Sequence, residues 1–440
     1  MKLIKHMIFV DVDDESKLII NSLMGTMDEI DIKTYNTIAR WQPLETIAPE
    51  NSEERELYES LNQRGYLVED DAAEKGKKQE LLEALRSNDK KHRESYQYLT
   101  FIMTYDCNFR CPYCFEGEAT HKTELMTTAQ IDAALNHFGA SVENILLFGG
   151  EPLLPKTREV IEYLYERKPD VLYAIITNGY YVLEFMDILK KMRIDYIQIT
   201  LDGTEEVHNR SRCLANGEPT FAKIMAGIEK CLQAGFNTKI RMNLSKESFD
   251  TGMQIQQDLL QRFDNNENLS FEIAPLFDVP DPEKLDILSN MFTNYVDLDY
   301  AERAKRNVVL ASMSPVVSAL ATGIPVRPLY NFCYAHDKKF VVDPYGRLFT
   351  CLVSVGKDGL EVGTYYPALT FKDNSIINRN IDSIPECSSC IYSLLCGGGC
   401  AMRLSDFSDC NKPACTYTRK QIHELLPRFY KAERAKKQRK

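Results

Sequence analysis

The chain has 440 residues, 44% of them hydrophobic, enough to bury substantial cores in roughly two or three domains. Its net charge of −11 weighs against nonspecific nucleic-acid binding by the chain as a whole. No run approaches about eighteen apolar residues, and the opening Met1 to His6 leads into no signal-peptide pattern, so the expected location is cytoplasmic, away from any membrane. Thirteen cysteines are unusual for a reducing compartment unless they hold metal or do redox chemistry. Three lie between Cys107 and Cys114, eight between Cys333 and Cys415, and only Cys213 and Cys231 stand apart. Such clustering is a metal pattern and disfavours a secreted disulfide framework.

In chain order, residues 1–71 read as a small module. His6–Val12 and Lys17–Asn21 are strand candidates around an Asp/Glu-rich turn. Asp31 is placed to cap a helix through Thr34–Trp41, Ser52–Gln63 reads as a second helix, and Arg64–Val68 as a closing strand. Strands, helices and a wing-like strand predict a winged-helix shape, whose plainest use is DNA binding. Sixteen Asp/Glu against seven Lys/Arg in residues 1–71 argue the other way, because phosphate contacts dominate DNA affinity. Residues 72–97 are highly charged, with Leu81, Leu82 and Leu85 at helical spacing, and predict a linker containing one solvated helix.

From Tyr98 the pattern becomes regular. Strand candidates at Tyr98–Thr104, Asn144–Phe148, Leu172–Ile176, Tyr196–Leu201, Thr238–Leu244 and Leu269–Ala274 alternate with helical patterns. These are Thr128–Phe138, Thr157–Arg167, Val182–Met192, Phe221–Ala234 and Ser248–Arg262, with Pro282–Tyr295 as a further unit. Such alternation predicts an α/β fold with a parallel sheet, right-handed crossovers and sites at the carboxyl ends of the strands. The units are too few for a closed eight-stranded barrel.

The first strand leads into Cys107, Cys111 and Cys114, a C-x3-C-x2-C spacing with an aromatic, Tyr113, before the last cysteine. Three thiolates can hold three irons of a [4Fe–4S] cube and leave the fourth open. A zinc knuckle would need a fourth ligand nearby, and scattered core thiols are the plain alternative. Phe148-Gly149-Gly150-Glu151-Pro152 follows the second strand, where two glycines allow close backbone approach to a ligand. Thr177-Asn178-Gly179 closes the third strand, Thr200-Leu201-Asp202-Gly203 the fourth, and Asn243 lies at the end of the fifth. Arg212 follows His208 and Asn209.

The triplet and the Gly-Gly-Glu-Pro strand end together resemble the radical S-adenosylmethionine (SAM) enzymes. That resemblance implies a partial (β/α)6 barrel over residues 98–310. It further implies a [4Fe–4S] cluster on Cys107, Cys111 and Cys114 whose open iron chelates SAM. Its reaction would be one-electron cleavage of SAM to a 5′-deoxyadenosyl radical that abstracts hydrogen from the substrate. SAM contacts are implied for Tyr113, Gly149, Gly150, Glu151, Thr177, Asn178, Thr200, Asp202, Arg212 and Asn243, with Arg212 expected at the SAM carboxylate. The family's usual Asp after the His is Asn209 here, which removes a carboxylate from that point. His208 reads as a structural hydrogen-bonding residue, and Cys231 as core.

Cys333 and Cys351 flank Gly346 in a C-x12-G-x4-C spacing. Cys387, Cys390, Cys396 and Cys400 continue as C-x2-C-x5-C-x3-C, trailed by Cys410 and Cys415. This arrangement resembles the SPASM extension of radical SAM enzymes over residues 311–440, which implies two auxiliary [4Fe–4S] clusters. By that resemblance Cys333, Cys351 and Cys400 serve one cluster, and Cys387, Cys390, Cys396 and Cys415 the other. Cys410 either completes the first or leaves an iron open. The helical pattern at Lys420–Tyr430 follows Cys415, and the basic tail Lys431–Lys440 reads as a frayed, solvated helix end.

The N-terminal module is similar in order and position to the leader-peptide recognition elements that precede enzymes modifying ribosomally made peptides. Such elements add a peptide strand to a sheet edge. The implied activity is that of a peptide maturase forming a thioether or carbon–carbon crosslink in a precursor peptide, supplied with electrons by a low-potential donor such as flavodoxin or ferredoxin. The alternatives are an anaerobic sulfatase-maturing enzyme making formylglycine and, from another class, a non-catalytic iron–sulfur electron carrier or a zinc-stabilised peptide-binding scaffold. No general base can be named from the sequence.

Overall fold

The computed structural model of the protein describes residues 1–94, 98–276, 280–299, 302–303, 314–323, 325–333, 335, 339–372, 376–404 and 409–439. The N-terminal part runs β1 (Lys2–Leu3), β2 (Met7–Asp11), β3 (Ser16–Asn21), β4 (Thr26–Asp31), α1 (Ile32–Trp41), α2 (Ser52–Gln63), β5 (Leu67–Val68) and α3 (Asp71–Glu94). The expected hairpin is β2 and β3, and β4 adds a third antiparallel strand that the sequence reading passed over. Its Thr-Met-Asp-Glu-Ile-Asp sequence is polar on both faces, and none of its residues is buried. The expected closing strand shortens to β5, which pairs with β1 instead of the hairpin. Helix starts follow local chemistry: Asp31 Oδ1 accepts from Thr34 N at 2.7 Å, and Asn51 Oδ1 from Glu54 N at 2.9 Å.

The central part alternates β6 (Tyr98–Ile102), α4 (Thr128–Phe138), β7 (Asn144–Phe148), α5 (Arg158–Arg167), β8 (Leu172–Thr177), α6 (Val182–Leu189) and β9 (Arg193–Thr200). It continues with α7 (Glu205–Ser211), α8 (Phe221–Gln233), β10 (Thr238–Leu244), α9 (Phe249–Arg262), β11 (Leu269–Pro275) and α10 (Asp281–Tyr295). Strands β6 to β11 are parallel and lie side by side in sequence order, each reached from the last by a helical crossover. Their apolar residues are buried because helices cover the sheet, as in β6, where Leu99 to Ile102 are all shielded.

The sheet does not end at β6. Strand β12 (Phe340–Val342) pairs parallel with β6, and β13 (Arg347–Phe349), β14 (Gly363–Thr364) and β15 (Thr370–Phe371) extend it antiparallel. The C-terminal cysteine region is thus built onto the central sheet. The chain finishes in Thr416–Lys420, a π turn at Gln421–Leu425 and the helix Leu426–Arg439.

Two sequence expectations need correcting. Helix α3 is not merely solvated: Leu81, Leu82 and Leu85 pack against a core shared by Trp41, Leu61, Tyr66, Ile381, Ile384, Cys387 and Leu394. Lys78 Nζ donates to Ser388 O at 2.8 Å, and Arg86 pairs with Asp382 at 2.6 Å, so α3 straps the N-terminal module to the second cysteine region. Nor is the basic tail frayed. Arg434 pairs with Asp13 and Glu29, Lys436 Nζ donates to Val296 O at 2.5 Å, and Arg439 pairs with Asp297 at 3.1 Å. In both cases a highly charged stretch is held by partners far away in sequence, apolar ones for α3 and acidic side chains and a carbonyl for the tail. Among the described residues no helix is long and apolar enough to cross a membrane.

Candidate functional site

The loop after β6 carries the cysteine triplet to the carboxyl end of the parallel sheet. Cys107, Cys111 and Cys114 are half-buried, and none of the thirteen cysteines is in a disulfide. A tight turn forms between the second and third, with Cys114 N donating to Cys111 O at 3.2 Å. Phe109 N–H points at Cys107 Sγ, 3.4 Å away, and Asn178 Nδ2 lies 3.9 Å from the same sulfur. Burial pushes all three thiols up. Shielded thiols, one of them facing two N–H donors, suit thiolates held by a bound metal centre, which deprotonates its ligands. Among the described residues, no three His, Cys, Asp or Glu side chains converge on one point as a single ion requires. A cuboidal cluster places each thiolate on a separate iron, so it makes no such demand.

Two polar networks flank the triplet. At the end of β7, Gly149 and Gly150 both have positive φ, +86° and +46°. A Cβ on Gly150 would stand 2.3 Å from Asp106 O and 2.4 Å from Tyr105 O, so only glycine lets this turn press against the cysteine loop. Glu151 N donates to Asp106 O at 2.9 Å. The Glu151 carboxylate is fully buried: Oε1 accepts from Thr177 Oγ1 at 2.6 Å and Leu153 N at 2.8 Å, and Oε2 from Asn178 N at 2.7 Å. It therefore locks the strand ends of β7 and β8 together. Asn178 continues the network to Asn108 at 2.8 Å.

On the other side, Tyr113 donates its hydroxyl to Asp202 Oδ2, and Arg212 Nη1 donates to the Tyr113 hydroxyl at 2.8 Å. Arg212 lies 3.8 Å from Asp202, whose Oδ1 accepts from Asn243 N at 2.9 Å. Burial opposes the Arg212 charge, but Cys111, Asp202, Cys107 and Cys114 hold it charged. Among the described residues its Nε has no hydrogen-bond partner. Residues from the ends of β6, β9 and β10 thereby meet around the thiols. Thr200 ends β9 in register with Arg241 of β10.

His208 is fully buried and structural, its Nδ1 accepting from Asp202 N at 3.4 Å and its Nε2 3.1 Å from Thr220 Oγ1. Burial and the Arg212 charge lower its pKa to about 3. Asn209 Oδ1 accepts from Thr220 N and Phe221 N at 2.9 and 3.0 Å, supporting the start of α8. Cys213 lies near enough to Cys111 to perturb it, while Cys231 is core.

The C-terminal cysteines form a separate constellation. Cys387, Cys390, Cys396 and Cys415 line one small cavity together with Tyr392, Ser393, Thr418 and Arg419. Burial raises Cys387 to about 12 and Cys396 to about 11, with the neighbouring thiols adding to the burial effect. Cys351 is perturbed by Cys400, which groups those two. The Gly397 to Gly399 run makes these meetings possible. A Cβ on Gly397 would fall 2.4 Å from the Asn331 carbonyl carbon, on the segment leading to Cys333, and one on Gly399 would fall 2.0 Å from Ala414 O, beside Cys415. Cys410 is buried, and its carbonyl accepts from Arg379 Nη1 at 2.5 Å.

Sequence reasoning missed Arg379 and Glu116. Arg379 is fully buried and donates to the carbonyls of Cys410, Lys412 and Gly398 at 2.5–2.6 Å, amid Cys387, Cys396 and Cys400. No local signal marks it, since its partners are all distant. Glu116 is buried and accepts from Gly150 N at 2.7 Å, and burial raises it to about 7. An acidic residue inside the Phe115-Glu116-Gly117 turn, two after a cysteine, was a readable hint.

The radical SAM superfamily model matches residues 101–259. The GTP 3′,8-cyclase of Actinobacillus succinogenes is 27% identical over 169 residues, 36% of this chain and 49% of that protein, so the chain spans about half the length of such relatives. The radical SAM cyclopropyl synthase TigE of Paramaledivibacter caminithermalis is 23% identical over 96% of this chain and 95% of its own. The solved structure of native anSMEcpe with bound AdoMet and Cp18Cys peptide superposes with a TM-score of 0.56 at 18% identity, covering 78% of this chain and 99% of that one. Streptococcus suis SuiB bound to precursor peptide SuiA gives a TM-score of 0.54 at 15% identity, covering 95% and 100%. At those identities the two structures speak for the fold. The family model lies over the sheet that carries the triplet, so residues 101–259 match a radical SAM domain.

Proposed function

We propose that the protein is a peptide maturase that uses the 5′-deoxyadenosyl radical to form a thioether or carbon–carbon crosslink in a ribosomally made precursor peptide. The observation that carries the radical chemistry is the joining of the Cys107–Cys114 loop to Asp202, Arg212 and Asn243 through Tyr113. Cys107, Cys111 and Cys114 would hold the cluster. When bound there, the cluster supplies the electron that cleaves SAM to methionine and the radical which takes hydrogen from the substrate. Arg212 presents charge-assisted donors suited to the SAM carboxylate, Glu151 fixes the β7 and β8 ends, and Gly150 lets the turn approach closely.

In this reading residues 98–310 are the SAM domain and residues 311–440 a SPASM-type extension. Cys387, Cys390, Cys396 and Cys415, which share one cavity, hold one auxiliary [4Fe–4S] cluster. Cys333, Cys351 and Cys400 hold another, which Cys410 either completes or leaves with an open iron. Residues 1–71 form a winged-helix-like leader-binding module. Among the described residues the outer edge of β4 pairs with no further strand, which supports strand addition by a peptide. A peptide substrate draws support from anSMEcpe and SuiB, both solved with peptides, and a bond-forming outcome from TigE. A low-potential donor such as flavodoxin or ferredoxin would supply electrons.

Anaerobic reconstitution with iron and sulfide, followed by SAM and dithionite, is expected to give about twelve irons per chain and 5′-deoxyadenosine. Absence of 5′-deoxyadenosine sinks the reading. A short peptide encoded beside the gene, incubated with the enzyme, is expected to lose two hydrogens by mass spectrometry. Exchange of sulfur for oxygen with the same hydrogen loss would instead identify a formylglycine-making activity.

A further inference from the structure

In a parallel sheet, paired residues of neighbouring strands point to the same face, and the face alternates along each strand. Leu146 is level with Ala174, Ala174 with Tyr196, Gln198 with Lys239, and Arg241 with both Thr200 and Glu272. In β10, Ile240, Met242 and Leu244 are buried in the core that also holds Ile224 of α8 and Leu259 of α9. Lys239, Arg241 and Asn243 therefore point the other way. That second face carries the cysteine loop. Phe115, directly after Cys114, stacks on Phe148 with ring centroids 6.1 Å apart, and Asn243 N donates to Asp202 Oδ1 at 2.9 Å.

The face is divided in two. Over β6 to β8 it is apolar, where Ile102, Leu146, Phe148 and Ile176 cluster with Phe115 and with Leu352, the neighbour of Cys351. Over β10 and β11 it is charged. Arg241 Nε donates to Asn243 Oδ1 at 2.9 Å, its Nη1 pairs with Glu272, and the other Glu272 oxygen lies 3.9 Å from Lys239 Nζ. Lys239 also stands 4.2 Å above the Tyr196 ring. Two cations thus share one carboxylate and leave one positive charge in excess. All three side chains are 23–26% exposed, shielded from bulk water yet open to a ligand. A guanidinium in that setting pairs strongly with a further carboxylate, and Glu272 holds both cations in place for it.

We propose that Arg241, with Lys239 beside it, receives the carboxylate of an Asp or Glu side chain of the precursor peptide and so selects the segment presented to the radical. This assignment rests on the peptide-maturase reading and adds the chemistry of its substrate. Strands β8 and β10 are two spacings apart, about 10 Å, which side chains about two or three positions apart on one extended segment can span. The acidic residue is therefore expected within about three positions of the residue that loses hydrogen, whose side chain lies on the apolar half.

The test is equilibrium binding of the short peptide encoded beside the gene to the reconstituted full chain with SAM present. The peptide is used in its native form, with the acidic side chains near the crosslink changed to Asn or Gln, and with its C-terminus amidated. Wild type is expected to bind the neutralised peptide about tenfold more weakly than the native one and the amidated peptide equally well. Arg241→Gln should weaken the native peptide by a similar factor and the neutralised one by less than about twofold, since the partner is already gone. Glu272→Gln, which removes the competing carboxylate, should bind the native peptide at least as tightly as wild type. Equal weakening of native and neutralised peptides by Arg241→Gln overturns the proposal, because the arginine then only braces β10 against β11. Equal wild-type affinity for those two peptides overturns it whatever the variants do, even if Arg241→Gln fails to fold. A loss seen only on amidation also overturns it, by assigning the site to the chain end. If wild type makes 5′-deoxyadenosine yet neither binds nor modifies the native peptide, it is the maturase reading that fails.

Discussion

In the proposed reading the two cysteine regions reach similar chemistry by opposite routes. Cys107, Cys111 and Cys114 arrive on one loop after one strand, and only the charged groups around them, Asp202 and Arg212, come from afar. The C-terminal thiols come from separate segments, which cross at the Gly397–Gly399 run and are tied by one buried guanidinium, Arg379. A local loop can lose its metal without losing the fold, because β6 to β11 and their helices are held by apolar burial. Segments that cross at a few glycines and one arginine lean more on their ligands to stay together.

That contrast is tested most severely at the first site. Replacing Cys107, Cys111 and Cys114 together by Ala should abolish 5′-deoxyadenosine formation while about eight irons per chain remain. The melting temperature should move by no more than a few degrees. Wholesale unfolding on this change would show that the triplet is structural and erase the contrast.

At the second site the expectation reverses. Arg379→Ala strands the carbonyls of Cys410, Lys412 and Gly398 inside the protein, each costing about 1–3 kcal/mol if left unpaired. Iron content should fall toward about four per chain, with melting lowered, while the cluster signal of the triplet survives. Full iron retention would mean that the glycine crossings hold the region without the arginine.

A smaller effect tests how rigidly the first site's outer network is held. Unfolded, His208 takes up a proton near pH 6.5; folded, it does so only near pH 3, because burial and Arg212 oppose the charge. Below pH 6.5 the unfolded chain therefore binds more protons. Stability is fully present above that pH and falls on acidification, by about 1.4 kcal/mol per pH unit through the window. His208→Asn, which cannot titrate, should flatten the dependence of melting temperature on pH between 6.5 and 5 relative to wild type. Parallel curves for the two proteins would place the imidazole in contact with water.

What could be read from the sequence follows the same division. The bounds of β7, β10, α2 and α4 agree with expectation because periodicity, caps and strand propensity all act locally there. The strand-end residues Glu151, Thr177, Asn178, Asp202 and Asn243, with Arg212 at the end of α7, are recognisable by position, and the structure brings them around the triplet. Not legible were β4, whose polar sequence carries no alternation, the pairing of β12 with β6, and Arg379, whose partners share no spacing with it. Helix α3 and the tail were misjudged for a related reason. High charge says that a face is wet, and it does not say that the opposite face is also wet.

The tail offers the gentlest test, since its contacts are half-exposed. Arg434 reaches Ser16 at 3.2 Å and Glu29 at 2.7 Å and pairs with Asp13, holding the last helix against the three-stranded sheet. Asp13 sits at about pKa 2, held down chiefly by its hydrogen bond from Arg434. Ion pairs of this kind contribute little and are screened by salt, so Arg434→Ala should lower the melting temperature by only about 1–2 °C in dilute buffer. At about 1 M salt the difference should vanish. Hydrogen exchange gives the sharper readout: amides of β3 and β4 should exchange faster in the variant, while those of β7 and β8 should not. If β7 and β8 respond as well, the N-terminal sheet and the central sheet open as one unit, and the last helix does more than clip one to the other.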